Sequence, residues 1–159
     1  MAKLIKLTKG KYAIVDDEDF EFLNKYKWCA GVNRAGGVFY AKSHVNGRMQ
    51  SMHRLLLGVT DRWVLVDHIN HDTLDNRRSN LRIATQKQNN QNRKSVPNST
   101  SKYRGVSWYN RDKRWVAKIG NGENQKTLGW FKDEILAALA YNKAALERYG
   151  EFANLNKIE

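Results

Sequence analysis

Short apolar runs separated by turn signals fill the first part of the chain, a pattern typical of strands joined by tight hairpins. Residues 4–15 form two β-rich runs that meet at a turn containing Gly10. A second hairpin is predicted at Asn46-Gly47, because this dipeptide readily adopts the left-handed backbone that two-residue turns need. Between the hairpins, apolar residues at helical spacing predict a short helix over residues 16–28, with Asp17 as its candidate N-cap.

The central part of the chain continues with short elements. An apolar run over residues 52–59 predicts a short helix that ends at Gly58. Two short β-rich runs follow, at 65–69 and 81–84, and a polar loop rich in Asn, Asp and His separates them. Another helix is predicted to start at Thr85, where a Thr and a Gln three residues later fit a capping box.

A polar segment then separates the chain into two parts. Residues 95–101 contain the only proline and show no periodicity, so they are interpreted as a linker. Three strand candidates lie beyond it, near residues 103–108, 114–119 and 125–131, with turns rich in Gly, Asn and Asp between them.

The last predicted element is a helix over residues 134–149. Asp133 is its expected N-cap and Gly150 its expected C-cap, since these residue types satisfy the exposed backbone groups at helix ends. The residues predicted to form its apolar face are Leu136, Leu139, Ala140, Ala144 and Leu146.

The charge of the chain favours a polyanionic partner. Its net charge is +12, from 28 Lys and Arg against 16 Asp and Glu. Nearly the whole excess falls within residues 77–126, where Asp112 and Glu123 are the only acids. This distribution favours nucleic acid as the partner class, and a merely solvated basic surface is the simpler alternative.

Cysteine content and hydropathy limit the compartment. Cys29 is the only cysteine, which excludes an internal disulfide and a zinc site built from several thiolates. The first ten residues lack the apolar run of a signal peptide, and no apolar stretch approaches the roughly 18 residues that would span a bilayer. A cytoplasmic protein with no membrane association is therefore expected.

The strongest catalytic pattern begins at the end of a predicted strand, where Asp67 and His68 are adjacent. Asn80 and Asn89 follow at intervals, the latter on the helix predicted after Thr85. Hydrolysis of a phosphodiester needs a general base and a hard cation held in register, and a neighbouring His and Asp supply both kinds of group. An isolated Asp-His pair is usually a surface turn, so the joint spacing is what favours catalysis.

Four arginines accompany this segment, and two interpretations of them are open. Arg77, Arg78 and Arg82 are either structural partners of acidic residues or contacts to phosphate. Because few acids lie near them in the sequence, phosphate contact is the favoured interpretation. Arg93 is assigned to the same DNA-contacting set.

Residues 52–93 resemble the HNH family of ββα-metal nucleases, particularly its phage and intron-encoded homing endonucleases. The resemblance implies that His68 is the general base, that Asp67 and Asn89 bind the metal, and that Asn80 orients His68 and braces the loop. The chain reads His-Asn-Asn rather than His-Asn-His, which suits magnesium, or manganese, better than zinc. Neither a structural zinc nor a small-molecule cofactor is expected. His53 lies in a segment resembling one that precedes many HNH sites, where packing or hydrogen bonding to the core is its expected role.

Four C-terminal blocks carry a second resemblance. They are Tyr103-Arg104-Gly105-Val106 and residues 115–119, 128–131 and 137–145. Together they are similar to the APETALA-type domain, the DNA-binding module of plant ethylene-response factors, over about residues 102–156. The resemblance implies a three-stranded antiparallel sheet that enters the major groove and packs on one helix.

Candidate DNA contacts of this module lie on strands or hairpins where cations alternate with apolar residues. They are Arg104, Trp108, Arg111, Arg114, Lys118 and Lys126. Trp115 and Trp130 are assigned to the core instead. The plant pattern has further arginines where this chain has Ser107, Gly120 and Thr127, so the plant target sequence is not expected.

These patterns together predict an α+β protein made of a small ββα-metal nuclease core, an N-terminal β-rich extension and the C-terminal sheet packed on one helix. The expected divisions are 1–58 for the extension, 59–94 for the core, 95–101 for the linker and 102–159 for the DNA-binding domain.

The function predicted from the sequence is a magnesium-dependent endonuclease of nicking or homing type that cuts double-stranded DNA in a bacterial or phage-infected cytoplasm. A monomer with one such centre would nick, and a double-strand break would need a dimer or two events. A non-catalytic, sequence-specific DNA-binding regulator with a vestigial HNH core is the alternative from another class. An RNA-directed nuclease also remains open.

Overall fold

A computed structural model describes residues 1–32, 37–91 and 99–158. Over these ranges the chain divides into two compact units, Met1–Gln86 and Lys87–Glu159. Small antiparallel sheets and a few helices make up the units, so the predicted α+β class is confirmed. None of the described helices combines the length and the apolar composition needed to cross a membrane.

The elements of the first unit are β1 (Ala2–Lys6), β2 (Tyr12–Asp16), α1 (Asp17–Leu23), β3 (Cys29–Val32), β4 (Phe39–Val45), β5 (Arg48–Ser51), α2 (Met52–Leu56), β6 (Leu65–His68) and β7 (Leu81–Ala84). Helix α3 (Gln86–Gln91) starts at the last residue of this unit. The second unit contains β8 (Val106–Tyr109), β9 (Arg114–Ile119), β10 (Lys126–Phe131) and α4 (Glu134–Tyr149).

Both hairpins predicted in the first unit are present. Strands β1 and β2 pair antiparallel along their whole length, and Lys9 and Gly10 in their turn have φ angles of 60° and 64°. Strand β4 pairs with β5 across Asn46 and Gly47, whose φ angles of 51° and 75° are the left-handed values that a two-residue turn requires. Strand β3 completes this second sheet on the other edge of β4.

Helix α1 is shorter than predicted, and its N-cap differs. The N-cap residue is Asp16, and Asp17 is the first helical residue, where it forms an ion pair with Lys3 at 2.6 Å. The prediction of Asp17 as the cap is therefore wrong by one position. The helix ends at Leu23, whose carbonyl oxygen accepts a hydrogen bond from Trp28 Nε1 at 2.8 Å.

An apolar core holds the first unit together. Its buried members are Ile5, Leu7, Ala13, Val15, Leu23, Trp28, Ala30, Ala41, Met52, Leu56 and Leu81. Because these residues come from β1 through β7, the segment predicted as an N-terminal extension shares its core with the strand that follows the polar loop. The division into an extension and a separate nuclease core stays a prediction.

The second unit is a three-stranded antiparallel sheet in the order β10-β9-β8, with α4 packed on one face. Helix α4 has the predicted bounds and the predicted N-cap, since Asp133 Oδ1 accepts hydrogen bonds from the backbone N–H groups of Ile135 and Leu136. Gly150 ends the helix with φ of 54°, as expected of a glycine C-cap.

The buried face of α4 differs from the prediction. Its buried residues are Ala137, Ala138, Tyr141 and Ala145, and the partly buried Ala140 and Ala144 pack beside them. Leu136, Leu139 and Leu146 are exposed, so their assignment to the core is wrong. Small side chains occupy most of this face because the helix lies close to the sheet. At Gly105, for example, an added Cβ would lie 2.1 Å from Cδ2 of the Tyr141 ring.

Candidate active site

Asp67 and His68 are the last two residues of β6, where the antiparallel register sets them opposite Arg82 and Leu81 of β7. Both are buried, with 7% of Asp67 and 5% of His68 exposed. Arg82 donates from Nε and Nη2 to Asp67 Oδ2 at 3.0 and 2.8 Å. The paired strands therefore present a histidine beside an acid that is already fixed in place.

Asn80 braces the loop that joins the two strands. Its Oδ1 accepts a hydrogen bond from the backbone N–H of Asn70 at 2.9 Å, and its Nδ2 donates to the carbonyl oxygen of Asp75 at 2.8 Å. The backbone of Ile69 also donates to the carbonyl oxygen of Asn80. These contacts agree with the bracing role implied by the sequence, and orientation of His68 by Asn80 stays a prediction.

Asn76 is the loop residue whose side chain acts on His68 and raises the pKa of its imidazole, against the effect of burial. It is fully buried, its backbone N–H donates to Ile14 of β2 at 2.7 Å, and its Nδ2 donates to the carbonyl oxygen of Leu74 at 3.1 Å. Sequence reasoning missed this residue. An Asp-Asn pair inside a polar loop gives no signal of burial, and the anchor on β2 lies far away in the sequence.

Two further rings complete the surroundings of His68. The His53 ring of α2 meets it edge-on, with centroids 5.0 Å apart and planes at 81°. The Tyr40 ring of β4 lies 5.6 Å from His53 and 6.3 Å from His68. His53 is buried, as expected for a packing residue.

Burial governs the charge of both histidines. It lowers the pKa of His53 to about 3, helped by His68 when that ring is protonated and by the positive charges of Arg54 and Lys42. Burial also lowers the pKa of His68, against the opposing effects of the Asn76 side chain and the Asp67 carboxylate. Both imidazoles are neutral at pH 7 as a result. A neutral imidazole can accept a proton, which a general base requires.

The three arginines of the described part of this segment are all paired with acids. Arg77 binds Asp75 through Nε and Nη2 at 2.8 and 2.6 Å, and Arg82 binds Asp67 as described above. Arg78 donates from Nε and Nη2 to the two oxygens of Asp19. Acids are therefore not scarce around these arginines in the fold. Two of the partners, Asp19 and Asp67, lie far from their arginines in the sequence. Contact of these arginines with DNA stays a prediction.

An acidic cluster on the first unit is explained by the same pairing. Asp16, Glu18 and Asp19 are close enough together to hold a cation. However, the backbone N–H of Arg78 donates to Asp16 Oδ2 at 2.7 Å, and its guanidinium occupies Asp19. The cluster therefore serves as the docking point of the Arg78 side chain.

Two residues assigned to the nuclease segment, Asn89 and Arg93, follow β7 in the chain. Asn89 is on α3, in the second unit, and is half-buried. Arg93 lies outside the residues that the structure describes. The assignment of Asn89 to the metal and of Arg93 to DNA stays a prediction.

Helix α4 packs on one face of the sheet of the second unit, and the face opposite α4 is called the open face. Trp115, Ala117 and Ile119 of β9 pack against α4, so the alternate residues Arg114 and Lys118 lie on the open face. Of the described residues, neither Arg114 nor Lys118 forms a salt bridge with an acid. Cations on the open face can therefore meet a polyanion.

Other predicted contacts of this unit lie elsewhere. Arg111 is in the β8–β9 turn, paired with Asp112 at 3.1 Å. Trp108 is paired with Trp115, with the rings 5.0 Å apart, and Lys126 is paired with Ile119. Trp108 and Lys126 therefore align with the side that α4 covers.

The assignment of Trp130 to the core is wrong, since 45% of it is exposed and its cross-strand partner is Val116 on the open face. Strand alternation explains the error, because Trp130 and Phe131 are adjacent and only one can face α4. Tyr109, which the sequence reasoning missed, contacts Trp130 with ring centroids 5.0 Å apart. Trp115 packs against the core as predicted.

Arg104 is partly built into the fold. Its backbone N–H donates to Asn156 Oδ1 at 2.6 Å, and Asn156 Nδ2 returns a bond to the Arg104 carbonyl oxygen. Its side chain lines a cleft of about 360 Å³ that is also lined by Lys87, Lys118 and Arg148. This cleft gathers positive charge at one place on the second unit.

Comparisons with known proteins agree with this site. A family model described as HNH endonuclease matches residues 63–91, which include β6, the braced loop, β7 and α3. Over 156 residues the chain is 37% identical to an uncharacterized HNH endonuclease of Acanthamoeba polyphaga mimivirus, a match that covers 95% of this chain and 78% of that protein. The chain belongs to the HNH endonuclease family. Its enzyme class is therefore a nuclease, and nucleases of this family generally use a divalent metal ion.

Part of this HNH endonuclease family member also matches plant proteins. It is 36% identical over 66 residues to an AP2-like ethylene-responsive transcription factor of Arabidopsis thaliana, covering 42% of the chain and 14% of that protein. An APETALA2-like protein of Oryza sativa subsp. indica is 38% identical over 64 residues, covering 40% of the chain and 15% of that protein. These matches support DNA as a partner.

Proposed function

We propose that this chain is a magnesium-dependent endonuclease that hydrolyses DNA phosphodiester bonds, with His68 as the general base. The observation that carries the proposal is the setting of His68. It is a buried imidazole at the end of β6, beside Asp67, within the segment that matches the HNH family, and burial lowers its pKa.

The residues proposed to hold the metal are Asp67 and Asn89. A carboxylate and a side-chain amide supply oxygen atoms, the ligand type that Mg²⁺ prefers, and the absence of thiolates beyond Cys29 argues against a zinc cage. Bound there, magnesium would supply positive charge to the scissile phosphate and the departing 3′-oxygen. Manganese offers the same coordination chemistry and is the expected substitute.

The proposed step at His68 is removal of a proton from water. The water oxygen attacks phosphorus as the bond to the 3′-oxygen breaks, the departing 3′-oxygen takes a proton from solvent, and the products are a 5′-phosphate and a 3′-hydroxyl end. Asn76 would hold the imidazole in one orientation, and Asn80 would keep the loop that carries Asn76 in register. General-base catalysis of this kind contributes roughly 10²–10⁴-fold to a rate.

The second unit is proposed to hold the nuclease on duplex DNA. The open face of its sheet carries Arg114 and Lys118, and the named relatives of this region are ethylene-responsive and APETALA2-like plant proteins. Contacts of these cations with phosphate would supply affinity without cutting. With one nuclease centre, the monomer is proposed to nick in the manner of a phage-type homing or nicking enzyme.

The test is nicking of supercoiled plasmid, followed as conversion to open circles with magnesium, with manganese and with EDTA. The purified protein is compared with His68→Ala and with His44→Ala, which removes an exposed histidine of β4 as a matched control. We expect nicking that needs a divalent metal, is lost in His68→Ala and is kept in His44→Ala.

Two outcomes contradict the proposal. Metal-dependent nicking that survives in His68→Ala would remove His68 as the base. Tight binding to DNA in gel shifts without any nicking, on plasmids that include random-sequence inserts, would favour the non-catalytic regulator.

A further inference from the structure

His53 is a buried titratable residue that the proposed reaction does not use. It lies on α2, outside the segment that matches the HNH family model, and only 8% of it is exposed. Its Nδ1 atom is buried and has no hydrogen-bond partner among the described residues. A buried polar atom without a partner costs about 1–3 kcal/mol, so an aliphatic residue would serve packing alone at lower cost.

The position of this ring relative to His68 suggests what the histidine does. The two imidazole centroids are 5.0 Å apart and the planes are nearly perpendicular, so the edge of one ring meets the face of the other. Tyr40 contacts both rings and closes the group on another side. Asn76 reaches His68 from the loop and is itself fully buried. Rotation of the His68 ring about its Cβ–Cγ bond would therefore drive it into neighbouring side chains.

The elements that carry these neighbours have independent supports. Helix α2 is joined to the chain before β6 by Arg54, whose Nη1 and Nη2 donate to the carbonyl oxygens of Val64 and Asp61 at 2.7 and 2.6 Å. Met52, at the start of α2, is fully buried in the core. The His53 ring is thus held on a fixed helix beside the strand that ends at His68.

We propose that His53 is a positioning residue for this nuclease, whose ring, with Tyr40 and Asn76, fixes the plane of the His68 imidazole. The inference rests on the proposed role of His68 as general base. A base that is misaligned with its water loses rate without loss of substrate affinity, and displacements of about 1 Å can cost roughly 100-fold. The effect of His53 therefore falls on the cleavage step and not on DNA binding.

The test compares three variants of the full chain. His53→Phe keeps a flat ring, His53→Leu keeps bulk without one, and His53→Ala removes both. Single-turnover nicking rates are measured with enzyme in excess, DNA affinity by gel shift, and folding by circular dichroism. We expect about 10- to 100-fold slower nicking in the Leu and Ala variants, a rate within about threefold of the original in the Phe variant, and unchanged affinity.

A double variant separates positioning from a merely structural role. If His53 acts through His68, adding His53→Ala to His68→Ala lowers the residual rate no further. If His53→Ala acts by general loss of fold, the two losses multiply. His53→Leu, with a side chain that suits a buried site, keeps the comparison valid if the Ala variant does not fold.

Clear results would overturn the inference. They are normal nicking by folded His53→Leu or His53→Ala, loss in His53→Phe as large as in His53→Ala, or multiplicative losses in the double variant. Failure of the proposed function looks different, since His68→Ala would then nick normally whatever stands at position 53.

Discussion

The two units differ in how many charged and polar side chains they bury. In the first unit several are buried, among them Asp19, Asp67, Asp75 and His68. In the described part of the second unit, Ser101 is the buried polar side chain, and its Oγ donates to Glu134 at 2.6 Å. The remainder of that core is alanine, aromatic and aliphatic.

The difference reflects what each unit does with its charges. Burying an ion pair removes both charges from water, and the free energy lost by desolvation is about as large as the free energy gained from their attraction. A buried pair is therefore weak evidence for stability. Their concentration beside His68 indicates that the first unit uses them to fix geometry. The second unit keeps its core apolar and leaves cations such as Arg114 and Lys118 at the surface, where they can meet phosphate.

The largest expected loss of stability comes from a substitution in the apolar core of the second unit. Gly105→Ala would place a Cβ 2.1 Å from the Tyr141 ring and 2.6 Å from the Lys118 carbonyl oxygen, at a φ of +73°. Because this overpacks the core and strains the backbone, we expect the second unit to lose about 4 kcal/mol of stability. Amide hydrogen exchange resolves the loss by unit.

Gly122→Ala is the matched control, since its φ is +53° and nothing lies within 4 Å of the added Cβ. It should lose only about 1–2 kcal/mol, the cost of a left-handed alanine. Equal losses at the two positions would contradict the argument from close packing.

The next effect tests the paired charges of the first unit. Arg78→Ala leaves Asp19 buried without its guanidinium, and we expect a loss of about 3 kcal/mol, at the low end for buried pairs because Arg78 is itself half-exposed. Arg111→Ala breaks an ion pair of the second unit in which the arginine side chain is 80% exposed, and less than about 0.5 kcal/mol should be lost. Denaturant unfolding compares the two, and similar losses would contradict the contrast between the units.

A pH effect follows from His53, which is buried and neutral in the first unit. Its pKa of about 3 in the fold is lower than the ordinary value of 6.5, so the unfolded chain binds a proton more readily. The free energy of unfolding is therefore highest above pH 6.5 and decreases as the pH falls towards 3, because the unfolded chain is protonated at His53 before the folded chain is. Between pH 7.5 and 5 the loss from this group is about 2 kcal/mol.

The measurement is denaturant unfolding of the original chain and of His53→Phe at both pH values. His53→Phe should show a smaller drop, by about the same 2 kcal/mol. An identical pH dependence in the two proteins would show that His53 does not carry the effect.

The smallest effect tests the open face of the second unit. Arg114→Ala should leave stability unchanged and weaken DNA binding, with the slope of log affinity against log salt reduced by about 1. Gel shifts at several salt concentrations measure it. Tyr12→Ala, which removes an exposed side chain from β2 of the first unit, serves as a control without loss of charge. If Arg114→Ala binds DNA with the same salt dependence as the unmodified protein, Arg114 does not contact the DNA.

Local signals in the sequence were sufficient for most elements. The Asn46-Gly47 hairpin, the strand bounds near Asp67 and Leu81, and the Asp133 cap all depend on residues adjacent in the chain. Such features could be predicted because turn, strand and cap preferences act over a few residues. The resemblance to HNH nucleases is likewise carried by a contiguous segment.

Predictions failed where two distant parts of the chain meet. Trp130 was assigned to the core, but strand alternation directs Phe131 towards α4 instead. Leu136 was also assigned to the core, but the close approach of α4 to the sheet leaves room only for alanines at most positions of the buried face. The ion pair between Arg78 and Asp19 was not predicted, because the two residues lie far apart in the sequence, and contact of Arg78 with phosphate stays a prediction. No local pattern encodes such pairs.

The sequence by itself determined the class of chemistry, the basic charge, the order of elements and the candidate base His68. The tertiary structure decided which groups surround that base, because Tyr40, His53 and Asn76 come from three separate segments that only the fold of the first unit brings together. It also decided which arginines are paired, since an ion pair depends on distance in space and not on separation along the chain.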